Sequence, residues 1–140
     1  MKQLQYIIIV VMAFSCQNIV HGQVPKDVED AFEAKYPGEN NPDWETDAHG
    51  NFEAHFKDKG VKYRADFSAN GHWIETENSI KKGDLPKAIR TSIKTEYGSE
   101  DITEVEHVQS ASKGEFYDVE FKQKGKNKDV EFRANGDIIN

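Results

Sequence analysis

A five-residue phrase that occurs twice constrains this chain more than any other feature. Phe67-Ser68-Ala69-Asn70-Gly71 returns later in the chain as Phe132-Arg133-Ala134-Asn135-Gly136. Asn-Gly between β-prone runs predicts a two-residue type I′ hairpin, because both central residues need positive φ, which Asn tolerates and Gly adopts freely. Each phrase closes a segment built in the same order, so the sequence predicts a duplication, with one copy over residues 23–80 and a second over 81–140.

Each copy opens with a helical pattern. Val28, Ala31, Phe32 and Tyr36 recur at helical spacing; Pro25 suits the first helical position, and Pro37-Gly38 stops the run. In the second copy Ile89, Ile93 and Tyr97, at one constant offset, take the places of Val28, Phe32 and Tyr36. The apolar face is kept while the exposed residues differ, which is the pattern of a helix held by its core contacts.

Strands follow each helix. Residues 44–47 form a candidate first strand; a two-residue turn at His49-Gly50 would put Trp44 on the open face, and a three-residue loop would bury it. Phe52-Glu53-Ala54-His55-Phe56 alternates strictly, as a strand with one wet face does. A four-residue loop at 57–60 would pair Phe56 with Val61 and Glu53 with Arg64, and the Asn70-Gly71 turn would set Phe67 against Ile74 and leave Trp73 on the open face, with Glu77 flanking Arg64. In the second copy the strands are expected at 102–108, 116–121, 130–134 and 137–140, with a longer hairpin loop near Ser110 and Ile138 in the place of Trp73. Residues 77–84 read as the linker, and Lys122, Lys124, Lys126 and Lys128 as a solvated, loosely paired strand start. The expected architecture is therefore α+β: two tandem α-β-β-β-β repeats, helices on one face of the sheet and the other face open.

The segment ahead of Gln23 differs in composition. Lys2, the apolar run from Tyr6 to Phe14 and the Val20-His21-Gly22 end make the pattern of a secretory signal peptide, spanning 1–22 and cleaved near Gly22, too short for a stable membrane span. Ser15-Cys16 is a partial match to a lipoprotein signal, with Ala13 where a Leu-like residue is usual, so a lipid anchor at Cys16 is the lesser alternative. Export to the periplasm or beyond follows from either. Cleavage after Gly22 leaves no cysteine and hence no disulfide framework. A formal charge of −7 argues against nucleic-acid or anionic-membrane binding, both of which need basic surface.

No motif here carries chemistry of its own. His49, His55, His72 and His107 show neither a His-x-x-x-His helix spacing nor a Cys partner, so no metal site or cofactor is expected from spacing. There is no nucleophile elbow, the glycines sit at hairpins rather than in a phosphate loop, and no catalytic residues are assigned. What remains is the open sheet face, carrying charged residues from Glu53 to Arg133, with Trp73, Arg64, His55 and Ile138 as candidate binding residues.

The tandem units, the Leu/Val-Pro-Lys helix starts, the Tyr that ends each helix, the alternating Tyr/Phe strands and the Asn-Gly hairpin before Trp73-Ile74-Glu75-Thr76 resemble the PepSY-like, β-lactamase-inhibitor-like domains of secreted bacterial proteins. The resemblance implies a helix packed on an antiparallel sheet in each unit, the two sheets joined, and a role in binding or restraining another extracytoplasmic protein. The expected function is an exported, non-enzymatic, inhibitor-like binding module; a small-ligand or metal-scavenging protein of the envelope is the alternative, motivated by location and the four mature histidines.

Overall fold

The computed structural model describes residues 23–98 and 100–139; the expected signal peptide and Cys16 lie outside them. Helix α1 (Lys26–Lys35) precedes strands β1 (Asp43–Thr46), β2 (Phe52–Asp58), β3 (Val61–Phe67) and β4 (Trp73–Ser79). A short 3-10 turn (Lys82–Asp84) leads to α2 (Lys87–Glu96), then β5 (Ile102–Ser110), β6 (Gly114–Phe121) and β7 (Lys128–Phe132). All seven strands make one antiparallel sheet in sequence order, β1 through β7.

Both helices lie on the same face of that sheet, each over its own core. Val28 and Phe32 of α1 pack with Ala54, Ala65 and Phe67; Ile89 and Ile93 of α2 pack with Leu85, Val105, Val119, Phe121, Val130 and Phe132. Fully burying such a side chain contributes about 1.5–3 kcal/mol, so a three-turn helix is held by a few residues on one stripe. Neither helix has a side-chain N-cap. The carbonyl of Pro25 accepts from the amides of Val28 and Glu29, and that of Pro86 from Arg90, so the extended proline itself starts each helix.

The turns correct the expected registers. At the Asn-Gly phrase the amide of Ser68 donates to the carbonyl of His72 and that of Gly71 to the carbonyl of Ser68, with positive φ at Gly71 and not at Asn70. This is a three-residue loop, a type I turn closed by a left-handed glycine. Arg133 to Asp137 repeats it, and Asp47 to Asn51 has the same bonds. The type I′ turn occurs instead at Lys59-Gly60, where both residues have positive φ. That two-residue loop shifts β3 by two positions: Phe56 faces Tyr63, and Glu53 faces Asp66 rather than Arg64. A shift of two keeps every side chain on its expected face.

The three-residue loops have a larger effect. A bulge between Asp66 and Phe67 sets Phe67 opposite Trp73, not Ile74, so Trp73 lies on the helix face, packed against the first core. Ile138 likewise bridges Phe132, whose side chain faces α2. The sequence pattern puts both on the open face; a one-residue difference in turn length moves them across the sheet. The same loop at Ala48-His49-Gly50 turns Trp44 inward, opposite Ala54 and against Phe32.

Among the described residues, 81–140 contribute three strands rather than the expected four: past Asp137 there is a single bridge. The extra residues of this stretch lengthen the β5–β6 hairpin rather than the loop, which holds just Ala111, Ser112 and Lys113. Glu77 sits within β4, so the linker is shorter than expected. The lysine-rich run lies outside β7 up to Lys128, whose ammonium reaches 5.2 Å from the Tyr97 ring, the snorkelling geometry of a lysine placed beside a core.

Each repeated glycine touches a helix. A Cβ at Gly71 would lie 2.5 Å from the carbonyl oxygen of Asp27, and one at Gly136 would lie 2.9 Å from that of Ala88. Gly125 also has positive φ but nothing within 4 Å. Alanine at Gly71 or Gly136 is therefore expected to cost more than about 2 kcal/mol in urea unfolding, against about 1 kcal/mol at Gly125, where left-handed strain acts alone.

Candidate functional site

The face opposite the helices is built by strand alternation. With Phe52, Ala54, Ala65, Phe67 and Thr76 turned toward the helices, Glu53, His55, Arg64, Asp66, Glu75 and Glu77 turn away. Pairing arranges these residues in rows that cross the sheet. One row is Glu45, Glu53, Asp66 and Glu75; a second is Asp43, His55, Arg64, Glu77, Val108 and Phe116. Two more, Glu106–Asp118–Glu131 and Glu104–Glu120–Asp129, cross β5 to β7. Like charges directly opposite one another oppose strand pairing by about 0.2–1 kcal/mol each, and carboxylates are nearest neighbours along three of these rows.

Cations relieve part of this. Arg64 Nη1 lies 3.0 Å from Glu77 Oε1, and its Nε lies 3.3 Å from Asp66 Oδ1. Lys113 Nζ donates to Glu131 at 2.6 Å, and its ammonium stands 5.3 Å from the Phe116 ring. The Asn127 side-chain amide donates to Glu120 at 2.9 Å, and the Thr103 hydroxyl also donates to Glu120. Under Lys113, Val108 and Phe116 form a buried apolar pair within an otherwise charged face.

Burial, with carboxylate neighbours adding to it, raises several of these groups. Partial burial pushes Glu77 up to about 7 even though Arg64 pulls it down, and neighbouring carboxylates add to the rise. Asp118 is pushed to about 6, by burial first and then by Asp129 and Glu131. Its Oδ1 is shielded and accepts no hydrogen bond among the described residues. Asp66 rises to about 6 and Glu106 rises too, both chiefly through burial.

Of the four residues expected on this face, the structure places Arg64 and His55 there, directly opposite each other on β3 and β2. Trp73 is instead tied to the helix side: its indole N–H donates to Thr76 Oγ1 at 2.8 Å, Thr76 also pairs with the Tyr36 hydroxyl, and Lys35 Nζ lies 3.6 Å from the indole ring. Ile138 is exposed beside Phe132 at the sheet's edge. Val108 and Phe116 escape a reading of the sequence; alternation within 102–110 and 114–121 carries the signal, but only a known register places the pair beside Glu77.

On the helix side, a cleft between the two cores is lined by Tyr36, Phe56, Asp58, Tyr63, Thr76, Asn78, His107 and Gln109. There His107 Nε2 lies 2.6 Å from Glu115 Oε1. No described helix is long and apolar enough to cross a membrane.

A family model described as "Putative beta-lactamase-inhibitor-like, PepSY-like" matches residues 50–140. Solved structures share the fold. A BLIP-like protein from Bacteroides fragilis is 23% identical with a TM-score of 0.72, covering 83% of each chain. A protein from Bacteroides uniformis is 22% identical with a TM-score of 0.74, covering 83% of this chain and 86% of its own. A "putative periplasmic" protein from Bacteroides eggerthii is 18% identical with a TM-score of 0.73, covering 85% and 88%. No curated protein matches the chain.

The raised carboxyl groups fix the sign of the pH dependence. Each binds its proton more tightly folded than unfolded, so stability is greatest below the unfolded range, near pH 4, and is lost as pH rises through about 7. The melting temperature is expected to be a few degrees higher at pH 5 than at pH 8, the partial exposure of these groups limiting the size. Glu77→Gln should raise the value at pH 8 and flatten the profile; a profile rising toward pH 8 would contradict the assignment.

Proposed function

Because this chain belongs to the PepSY-like, β-lactamase-inhibitor-like family, we propose that it is an exported, non-enzymatic, inhibitor-like binding module whose open sheet face receives a basic surface of another extracytoplasmic protein. The observation that carries this reading is the set of carboxylate rows on that face, in which acidic side chains stand directly opposite one another on neighbouring strands. A lysine- or arginine-rich partner would relieve the carboxylate repulsion that adds to the burial-driven rise of Glu77 and Asp118, so binding and proton release would be linked. Arg64 and His55 lie within the proposed surface, Arg64 as a guanidinium framed by acids, with Glu77 between it and the Val108–Phe116 patch. Trp73 and Ile138 lie outside it.

Export is supported by the leader-like segment ahead of Gln23 and by the periplasmic description of a structural neighbour. Descent from a duplicated unit is supported by the equivalent seats of Gly71 under Asp27 and Gly136 under Ala88, which occupy matching positions of the two sequence copies. The same symmetry supports reading residues 23–80 and 81–140 as two units sharing one sheet.

The test is a partner captured from an envelope fraction and then purified. Its affinity should fall steeply with salt over about 50–300 mM, where screening of charge pairs grows. Charge reversal at the exposed Asp129 and Glu104 (Asp129→Lys with Glu104→Lys) should weaken it by at least about tenfold, while Glu29→Lys on α1 leaves it unchanged. Affinity indifferent to both salt and the reversals would remove the acidic face from the interface.

A further inference from the structure

We propose that Glu45, Glu53 and His55 form a binding site for a divalent cation of the zinc class at the β1–β2 end of the open face. The site goes beyond partner docking, because its three ligands all come from one chain, although His55 also lies on the proposed docking face. Helical and Cys-based spacings could not reveal it; strand pairing assembles it. Glu53 and His55 are two apart on β2 and so share a face, and Glu45 on β1 is directly opposite Glu53.

One ligand atom from each of the three residues lies within 4.8 Å of the others. His55 Nε2 is 3.6 Å from Glu53 Oε2. Ligands about 2.1 Å from a tetrahedral zinc stand roughly 3.4 Å apart, so small rotations of two glutamate side chains complete the geometry. Two further observations point to a cation. His55 Nε2 is shielded from solvent and has no hydrogen-bond partner among the described residues, although it faces a carboxylate. Glu53 has a carboxylate directly opposite on both sides, Glu45 and Asp66, a placement that opposes folding unless positive charge stands among them. Arg64 does not supply it fully, since its contacts are with Glu77 and Asp66.

The ligand set selects the metal. An imidazole with two carboxylates suits zinc and its transition-metal neighbours, whereas magnesium and calcium favour all-oxygen shells. Three protein ligands leave a fourth position for water or for a side chain of a docked protein. Asp43, opposite His55, is placed to orient the complex from the next strand.

Zinc chloride titrated calorimetrically into the purified protein should bind at about one equivalent with a dissociation constant of about 1–50 µM, and should raise the melting temperature. Cobalt(II) chloride should give visible d–d absorption of a low-coordinate site. His55→Ala and Glu53→Gln should each weaken zinc by at least about tenfold and abolish the zinc-induced rise in melting temperature, while His72→Ala and His107→Ala bind as the parent does. Glu45→Gln, on the exposed edge strand, replaces Glu53→Gln should the latter fail to fold. Absence of heat at about 100 µM zinc, unchanged affinity in His55→Ala, or loss that follows His72 or His107 would each overturn the site.

Discussion

The close seating of two hairpin glycines under two helix starts is the constraint on which the rest of this fold depends. Gly71 and Gly136 approach the first turns of α1 and α2 so nearly that a methyl group would overlap a backbone carbonyl. That contact fixes the height of each helix over the sheet, and the left-handed glycine that permits it also sets a three-residue loop. From the loop follow the bulge at Asp66 and Phe67 and the inward turn of Trp73. Trp73, Thr76 and Tyr36 then join β4 to the end of α1 through hydrogen bonds. A local backbone requirement thus decides which aromatic residues belong to the core.

Removing Trp73 from the open face changes the character of that face. It is a lattice of carboxylates with Arg64 near its middle and one buried apolar pair, Val108 and Phe116. The cost of assembling it is borne by two helix-side cores of buried Phe, Val and Ile and moderated by the ion pairs of Arg64 with Glu77 and Asp66 and of Lys113 with Glu131. A surface that stores repulsion in this way is poised to gain from positive charge, whether from a basic protein or from a metal ion held by Glu45, Glu53 and His55. The two proposed occupants meet at His55, which lies on the face offered to a protein and beside Glu45 and Glu53 at its β1–β2 end.

Much of this was legible before any coordinates. The stripes Val28–Phe32 and Ile89–Ile93, the alternation of Phe52, Ala54 and Phe56, the pairing of Arg64 with Glu77 and the loose start of the lysine-rich strand follow from periodicity and charge, and each stands in the structure. The face of Trp73 and Ile138, the partner of Glu53 and the trio around His55 were not legible. All three depend on loop length, and Asn-Gly is compatible with both a two-residue and a three-residue hairpin.

By itself, then, the sequence determined the number and order of the helices, the sheet's apolar and charged faces, and the acidic excess, because each is written in residues close together along the chain. Only the tertiary structure decided register. Side chains alternate with a period of two, so one residue more in a turn carries Trp73 to the other side of the sheet, while two residues fewer leave Phe56 on its side but give it a new neighbour. At the two Asn-Gly phrases the turn is seated against the carbonyls of Asp27 and Ala88, far away along the chain from Gly71 and Gly136, and no local pattern holds that information.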